Sequence, residues 1–145
     1  MNIEIIYASM TGHTRRVAEA MAEELGVEAK DVKDSPKFDY ADIVFLGSGI
    51  YASKPDKELC TYARRINEEK AGRVVLFYTS MTGIAMAGDL RDILEQNGLK
   101  PEDHEFSCKG KFLFFSRKHP DQDDIAQARG FARATLERIQ AQIHP

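Results

Sequence analysis

The chain has no tryptophan, only two cysteines and no apolar run longer than a strand. Each scarcity removes a class of protein. Without an apolar run of helix length, no membrane span is expected. Cys60 and Cys108 stand alone, and His13, His104, His119 and His144 show no ligand spacing. Neither a structural zinc site nor a disulfide framework is expected from them. The net charge is -3 and no basic stripe is present, which argues against a nucleic-acid partner. The first strand begins at Asn2 or Ile3, leaving no room for a signal peptide, so reduced thiols and a cytoplasmic location are expected. No Ser-His-Asp constellation or paired carboxylates stand out.

What remains is a chain of 145 residues, 43% hydrophobic and 30% charged. Residues 1–145 read as a single domain, large enough to hold a core without covalent staples. No internal repeat, linker or low-complexity segment interrupts it.

The most informative stretch follows the apolar strand Ile3-Glu4-Ile5-Ile6-Tyr7-Ala8. It is Ser9-Met10-Thr11-Gly12-His13-Thr14, an S-x-T-G-x-T loop between a strand and a helix. The first amides of a helix have no intrahelical partner, and the helix dipole favours an anion there. Three hydroxyls join those amides, and Gly12 lets the backbone bend close to a ligand. An ordinary helix cap needs one hydroxyl, and three around a glycine exceed that need. The loop therefore reads as a cradle for a phosphate monoester. It lacks the lysine of G-x-x-x-x-G-K-[ST], which argues against a nucleoside triphosphate with magnesium. The chain also lacks G-x-G-x-x-G, which argues against a dinucleotide. For His13 the backbone amide is expected to contribute more than the ring, which reads equally as an exposed loop side chain or a charge contact to phosphate.

Hydrophobic periodicity places the remaining elements. Val17, Met21 and Leu25 give the first helix one apolar face, closed by Gly26. Residues 27–32 read as a short second strand, with a helical turn allowed before the third. Residues 41–47 are a near-continuous apolar run, as in a strand buried on both faces. A loop over 48–53 follows, and Pro55 suits a first helical turn. Leu59, Tyr62, Ala63 and Ile66 face inward from the second helix. Residues 73–78 form the fourth strand and 79–83 the loop after it. Leu90, Ile93 and Leu94 mark the third helix, and a short fifth strand falls within 102–108. Residues 109–120 are irregular, basic and partly aromatic. The last helix starts near Asp121, with Ile125, Ala128, Ala132, Leu136, Ile139 and Ile143 as its stripe. This order, β-α-β-β-α-β-α-β-α, argues for an α/β fold with an open parallel sheet and helices on both faces.

The S-x-T-G-x-T loop at the first strand-helix junction resembles the N-terminal signature of the flavodoxin family, [ST]-x-T-G-x-T. The resemblance extends over essentially the whole chain. It implies a flavodoxin-like, five-stranded parallel sheet in the order 2-1-3-4-5. It implies that the loop holds the phosphate of FMN. Ligands at such a sheet bind beyond the strand ends where the strand order reverses. The loops after strands one, three and four meet there. The implied cofactor contacts are Ser9, Met10, Thr11, Gly12, His13 and Thr14; then Ser48, Gly49, Ile50 and Tyr51; then Thr79, Ser80, Met81, Thr82 and Gly83.

The chain also departs from the family pattern. Many flavodoxins stack a tryptophan on the flavin from the second loop, where Tyr51 is the only aromatic of this chain. Tyr51 either walls the flavin, its ring face mattering and its hydroxyl not, or packs over the following helix. The third loop has neither the tyrosine nor the carboxylates common in the family. The implied function is electron carriage between a reductase and an acceptor protein. The alternative is a flavin-dependent oxidoreductase acting directly on a quinone or tetrapyrrole, as flavodoxin-like protoporphyrinogen oxidases do. The modest charge differs from the strong acidity usual in general electron carriers, and points to a narrower partner set or a less negative potential.

Overall fold

Ile43, Val44, Phe45 and Leu46 are consecutive and fully buried, which a strand permits only when both its faces are covered. They form the middle of β3, and the rest of the sheet is arranged around them. A computed structural model describes residues 1–51, 53–80, 88–109 and 122–143. Along the chain these form β1 (Ile3–Ala8), α1 (His13–Leu25) and β2 (Ala29–Asp31), then a 3-10 turn (Val32–Asp34). Next come β3 (Ala41–Tyr51), β4 (Lys54–Pro55), α2 (Lys57–Ala63), β5 (Ala71–Ser80), α3 (Gly88–Gln96), β6 (Phe106–Lys109) and α4 (Gln122–Ile143).

The main sheet is parallel, in the order β2-β1-β3-β5-β6, with β4 pairing antiparallel to the end of β3. With β4 set aside, this is the expected 2-1-3-4-5 order. Alternate residues of the central strands feed two cores. Val44, Leu46, Leu76 and Tyr78 join Leu59, Leu90 and Leu94 beneath α2 and α3. Ile43, Phe45, Val75 and Phe77 join Val17, Met21, Ala132 and Ile139 beneath α1 and α4. Gly26 closes α1 in the left-handed conformation, φ 71°, as its position suggested. No helix among the described residues is long and apolar enough to cross a membrane.

The element boundaries differ from expectation where tertiary pairing extends a strand. β2 is three residues long, because Val32 already belongs to the 3-10 turn. β3 runs on through Ser48, Gly49, Ile50 and Tyr51, which were expected as loop. Ile50 and Tyr51 pair with Pro55 and Lys54 in a tight hairpin, and Ser53 at its turn has φ 65°. Pro55 is therefore a strand residue, tolerated on the two-residue β4 because that position need not donate to a ladder. The helix starts later because the Asp56 carboxylate accepts from the amides of Glu58 and Leu59. β5 likewise includes Thr79 and Ser80. Ile143 is 42% exposed, so the buried stripe of α4 stops at Ile139.

Gly47 is closely approached from the neighbouring strand. A Cβ there would lie 2.0 Å from Cε2 of Phe77 on the neighbouring strand. Gly47→Ala is therefore expected to lower stability by about 1–3 kcal/mol, the usual range for an overpacked core. Adding Phe77→Leu should restore part of it, and urea melts of the three proteins measure both effects. If Gly47→Ala alone melts like wild type, the close approach is not a constraint.

Two buried phenols give a pH prediction. Burial pushes Tyr62 up to about 12, with the Glu4 charge adding to it. It pushes Tyr78 further, aided by the nearby Glu105 carboxylate. An unfolded tyrosine ionises near pH 10. The stability these phenols contribute is thus complete below about pH 10 and falls as pH rises through the folded-state values. Phenolate absorbance of the folded protein should show at least two of the five tyrosines, Tyr62 and Tyr78, resisting ionisation well above pH 10.

Candidate functional site

The parallel register puts three strand ends side by side. Ala8 of β1 lies opposite Ser48 of β3, and Gly49 opposite Thr79 of β5. After β1 the chain passes through α1 to β2 on one side of the sheet; after β2 it crosses to β3 on the other. The strand order reverses between β1 and β3, and the crevice at their C-terminal ends is where such a fold binds ligands.

The loop over 9–12 enters α1 through Gly12, at φ 88°. That left-handed conformation favours glycine, and Gly12 offers the first turn of α1 no side-chain cap. The first turn of α1 contains no acidic residue, so the positive end of its dipole is not neutralised there.

Each hydroxyl of the loop already has a partner inside the protein. The Gly12 amide donates to Ser9 Oγ at 3.0 Å. Thr11 Oγ1 pairs with His13 Nδ1 at 2.6 Å. Thr14 Oγ1 pairs with Thr79 Oγ1 at 2.7 Å. The Gly12 amide can only donate, so Ser9 keeps its own hydroxyl hydrogen for an outside acceptor. The imidazole and Thr79 can each donate as well, leaving Thr11 and Thr14 the same freedom. A group that accepts hydrogen bonds without donating them, such as an oxyanion, matches this arrangement.

The structure changes several individual roles. His13 is 8% exposed, so the exposed-loop reading of its ring does not hold. It is the first residue of α1, tucked against Thr11. Thr14 is 1% exposed, and its hydroxyl faces β5. Met10 is 70% exposed at the loop tip.

At the second strand end Ser48 is fully buried and structural. Its hydroxyl donates to the Gly49 carbonyl and accepts from the Asp56 amide, tying the hairpin to the start of α2. Ile50 is half-buried beside it. Tyr51 folds back along β3 over Gly49, since residues two apart share one face of a strand. Its hydroxyl accepts from the Met10 amide at 3.1 Å. The Tyr51 phenol is pushed up by burial; the Met10 amide bond pulls it down and the Asp56 charge adds to the rise. The hydroxyl, for which the sequence suggested no role, thus has a specific partner.

At the third strand end Thr79 and Ser80 are buried. Met81, Thr82 and Gly83, and with them most of the third loop, lie outside the described residues, as do Phe112, Phe114 and Phe115. The structure therefore brings together Ser9 to Thr14, Gly49, Tyr51 and Thr79. Two links escaped the sequence reading, Thr14 to Thr79 and Met10 to Tyr51. Each residue was visible in its own loop, but no local pattern signals a pairing across 65 or 41 positions.

Other features of the described residues do not compete with this cluster. A cavity of about 680 Å³ between α1 and the β2 edge is lined by Arg15, Glu19, Lys30 and Asp31 among others, and contains none of the loop residues. Burial pushes the Cys60 thiol up, which keeps it a poor nucleophile. No group of three metal-ligating side chains occurs among the described residues.

Comparison with known proteins bears on the fold. The chain is 28% identical over 151 residues to the uncharacterized protein MJ0298 of Methanocaldococcus jannaschii, covering 94% of this chain and 99% of that one. Oxidised flavodoxin 2 from Bacillus cereus shares the fold, with a TM-score of 0.69 and 19% identity over 95% of this chain and 99% of its own. So does a variant flavodoxin of Fusobacterium nucleatum, bound to flavin mononucleotide in its crystal, with a TM-score of 0.64 and 17% identity over 91% and 92% of the two chains. The family model of the flavodoxin domain matches residues 4–114, and the chain belongs to the flavodoxin family.

Proposed function

We propose that this protein binds FMN through the loop over 9–14 and carries electrons between a reductase and an acceptor protein. FMN is the cofactor that family membership brings with it. The observation that carries the assignment to this loop is its hydrogen-bond polarity. Ser9 sits against an amide that can only donate, and Thr11 and Thr14 against partners able to donate; where those partners donate, the hydroxyl hydrogens turn to a phosphate monoester. A phosphate offers acceptors only, and charge-assisted bonds of this kind are about twice as strong as neutral ones. A Cβ at Gly12 would meet nothing within 4 Å, so the space beside Gly12 is open.

Bound FMN supplies reversible uptake of one or two electrons. The chain supplies the rest. The loop and the start of α1 anchor the phosphate, and Gly49, Ile50 and the Tyr51 ring border the isoalloxazine. Thr79 and Ser80 border its polar edge. Direct oxidation or reduction of a small molecule of quinone or tetrapyrrole type is the second reading. The sequence of the third loop favours it, because no aromatic or carboxylate there would cover the second flavin face.

Calorimetry on the flavin-free protein should rank FMN well above riboflavin and FAD. Equal affinity for riboflavin would show that the loop contributes nothing. Thr11→Ala and Thr14→Ala should each weaken FMN by about 1.5–3 kcal/mol, the scale of a hydrogen bond to a charged group. Thr79→Val should weaken it by less, about 0.5–1.5 kcal/mol, because it acts through Thr14. Thr79→Ser, which keeps the hydroxyl, should match wild type. Urea melts run alongside will reveal whether any variant loses affinity by unfolding.

The carrier role has its own readout. Anaerobic reduction should pass through a stable semiquinone if single electrons are carried. Its absence, with rapid turnover of a quinone, would select the second reading.

A further inference from the structure

The hydrogen bond between Met10 and Tyr51 has a consequence for ligand binding, and it rests on the reading that the 9–14 loop takes the phosphate. The Met10 amide belongs to the loop itself. It donates to the Tyr51 phenol, 41 residues away and on the neighbouring strand end. To reach it, the tip of the ring passes over Gly49. A Cβ on Gly49 would sit 2.2 Å from the Tyr51 hydroxyl and 2.5 Å from the ring carbon that bears it. Gly49, the Tyr51 ring and the Met10 amide therefore form one unit that spans the crevice between β1 and β3.

We infer that Tyr51 is a latch whose hydroxyl competes with a phosphate monoester for the Met10 amide. One N–H serves one strong acceptor. The phenol oxygen is neutral, and a phosphate oxygen is charged, so the phosphate is the stronger acceptor. A phosphate group that takes the Met10 amide releases the phenol and removes the bond holding the ring over Gly49. The hydroxyl thus lowers affinity for the phosphate group by the strength of the bond that must break. It also couples occupation of the loop to freedom of the aromatic ring. Tyr51 has two functions here, an aromatic face toward the flavin and a hydroxyl that opposes phosphate entry.

The direction of the effect separates this latch from a supporting contact. If the hydroxyl held the loop in shape for its ligand, removing it would weaken binding. The latch predicts tighter binding. Tyr51→Phe keeps the ring and removes only the acceptor. It should bind inorganic phosphate and FMN each about 2- to 10-fold more tightly than wild type, the fold-change of one neutral hydrogen bond. Calorimetry on the flavin-free proteins measures both. A second readout needs no flavin. Inorganic phosphate added to wild type should shift the NMR signals of the Met10 amide and the Tyr51 ring together, and in Tyr51→Phe the phenylalanine ring should no longer follow the amide. Unchanged or weaker phosphate binding by a folded Tyr51→Phe overturns the latch, even if FMN still outranks riboflavin in wild type and the phosphate assignment stands. Wild-type protein that binds neither phosphate nor FMN at this loop overturns both readings.

Discussion

Everything at the site depends on the parallel pairing of β3 with β1 on one side and β5 on the other. The register aligns Ala8 with Ser48 and Gly49 with Thr79. Without it Thr14 would not reach Thr79, nor the Met10 amide the Tyr51 hydroxyl. The pairing is held by burial on both faces: Phe45 and Phe77 on one, Leu46 and Tyr78 on the other, all fully buried. A one-residue slip would exchange the two faces of a strand. It would also break the contact between Thr14 and Thr79. The cores beneath α1 and α2 thus set the geometry of the crevice above them.

β3 serves three purposes within eleven residues. Its first half is an apolar core strand. Gly47 then lets the Phe77 ring approach, and Gly49 lets the tip of the Tyr51 ring pass over it. Ser48 between them uses its hydroxyl twice, on Gly49 and on Asp56, and so fixes where α2 begins. A strand interior normally disfavours glycine, for entropy and for lost packing. Two glycines near its end are explained by what leans on them. The hairpin with β4 then carries Tyr51 back toward the first loop instead of into solvent.

The surface contributes a second, weaker layer. Arg129 and Arg133 on α4 pair with Glu23 and Glu24 on α1. Arg73 and Arg138 share Glu102. The two pairs between α4 and α1 are exposed and contribute roughly 0–1 kcal/mol each, while the Glu102 carboxylate is half-buried. They hold helices in place over a core that has already decided the architecture, and none reaches the loop cluster.

By itself the sequence determined the strand and helix order, the buried central strand, the glycine stop of α1 and the hydroxyl-rich loop at its start. All of these are local. Hydrophobic period, glycine placement and a short motif are written in neighbouring residues, and the chain obeys them wherever it folds. Tertiary structure alone decided the rest. Ser48 to Tyr51 and Thr79 to Ser80 became strand because a partner strand lay beside them, although their polar, glycine-rich composition reads as loop. Pro55 lost its helical position to Asp56, whose carboxylate takes the first amides of α2. His13 left the surface for a place against Thr11. Thr14 and Tyr51 found partners far along the chain, in Thr79 and Met10. A hydroxyl shows in sequence that it can bond, but its partner depends on which strands the hydrophobic cores bring side by side.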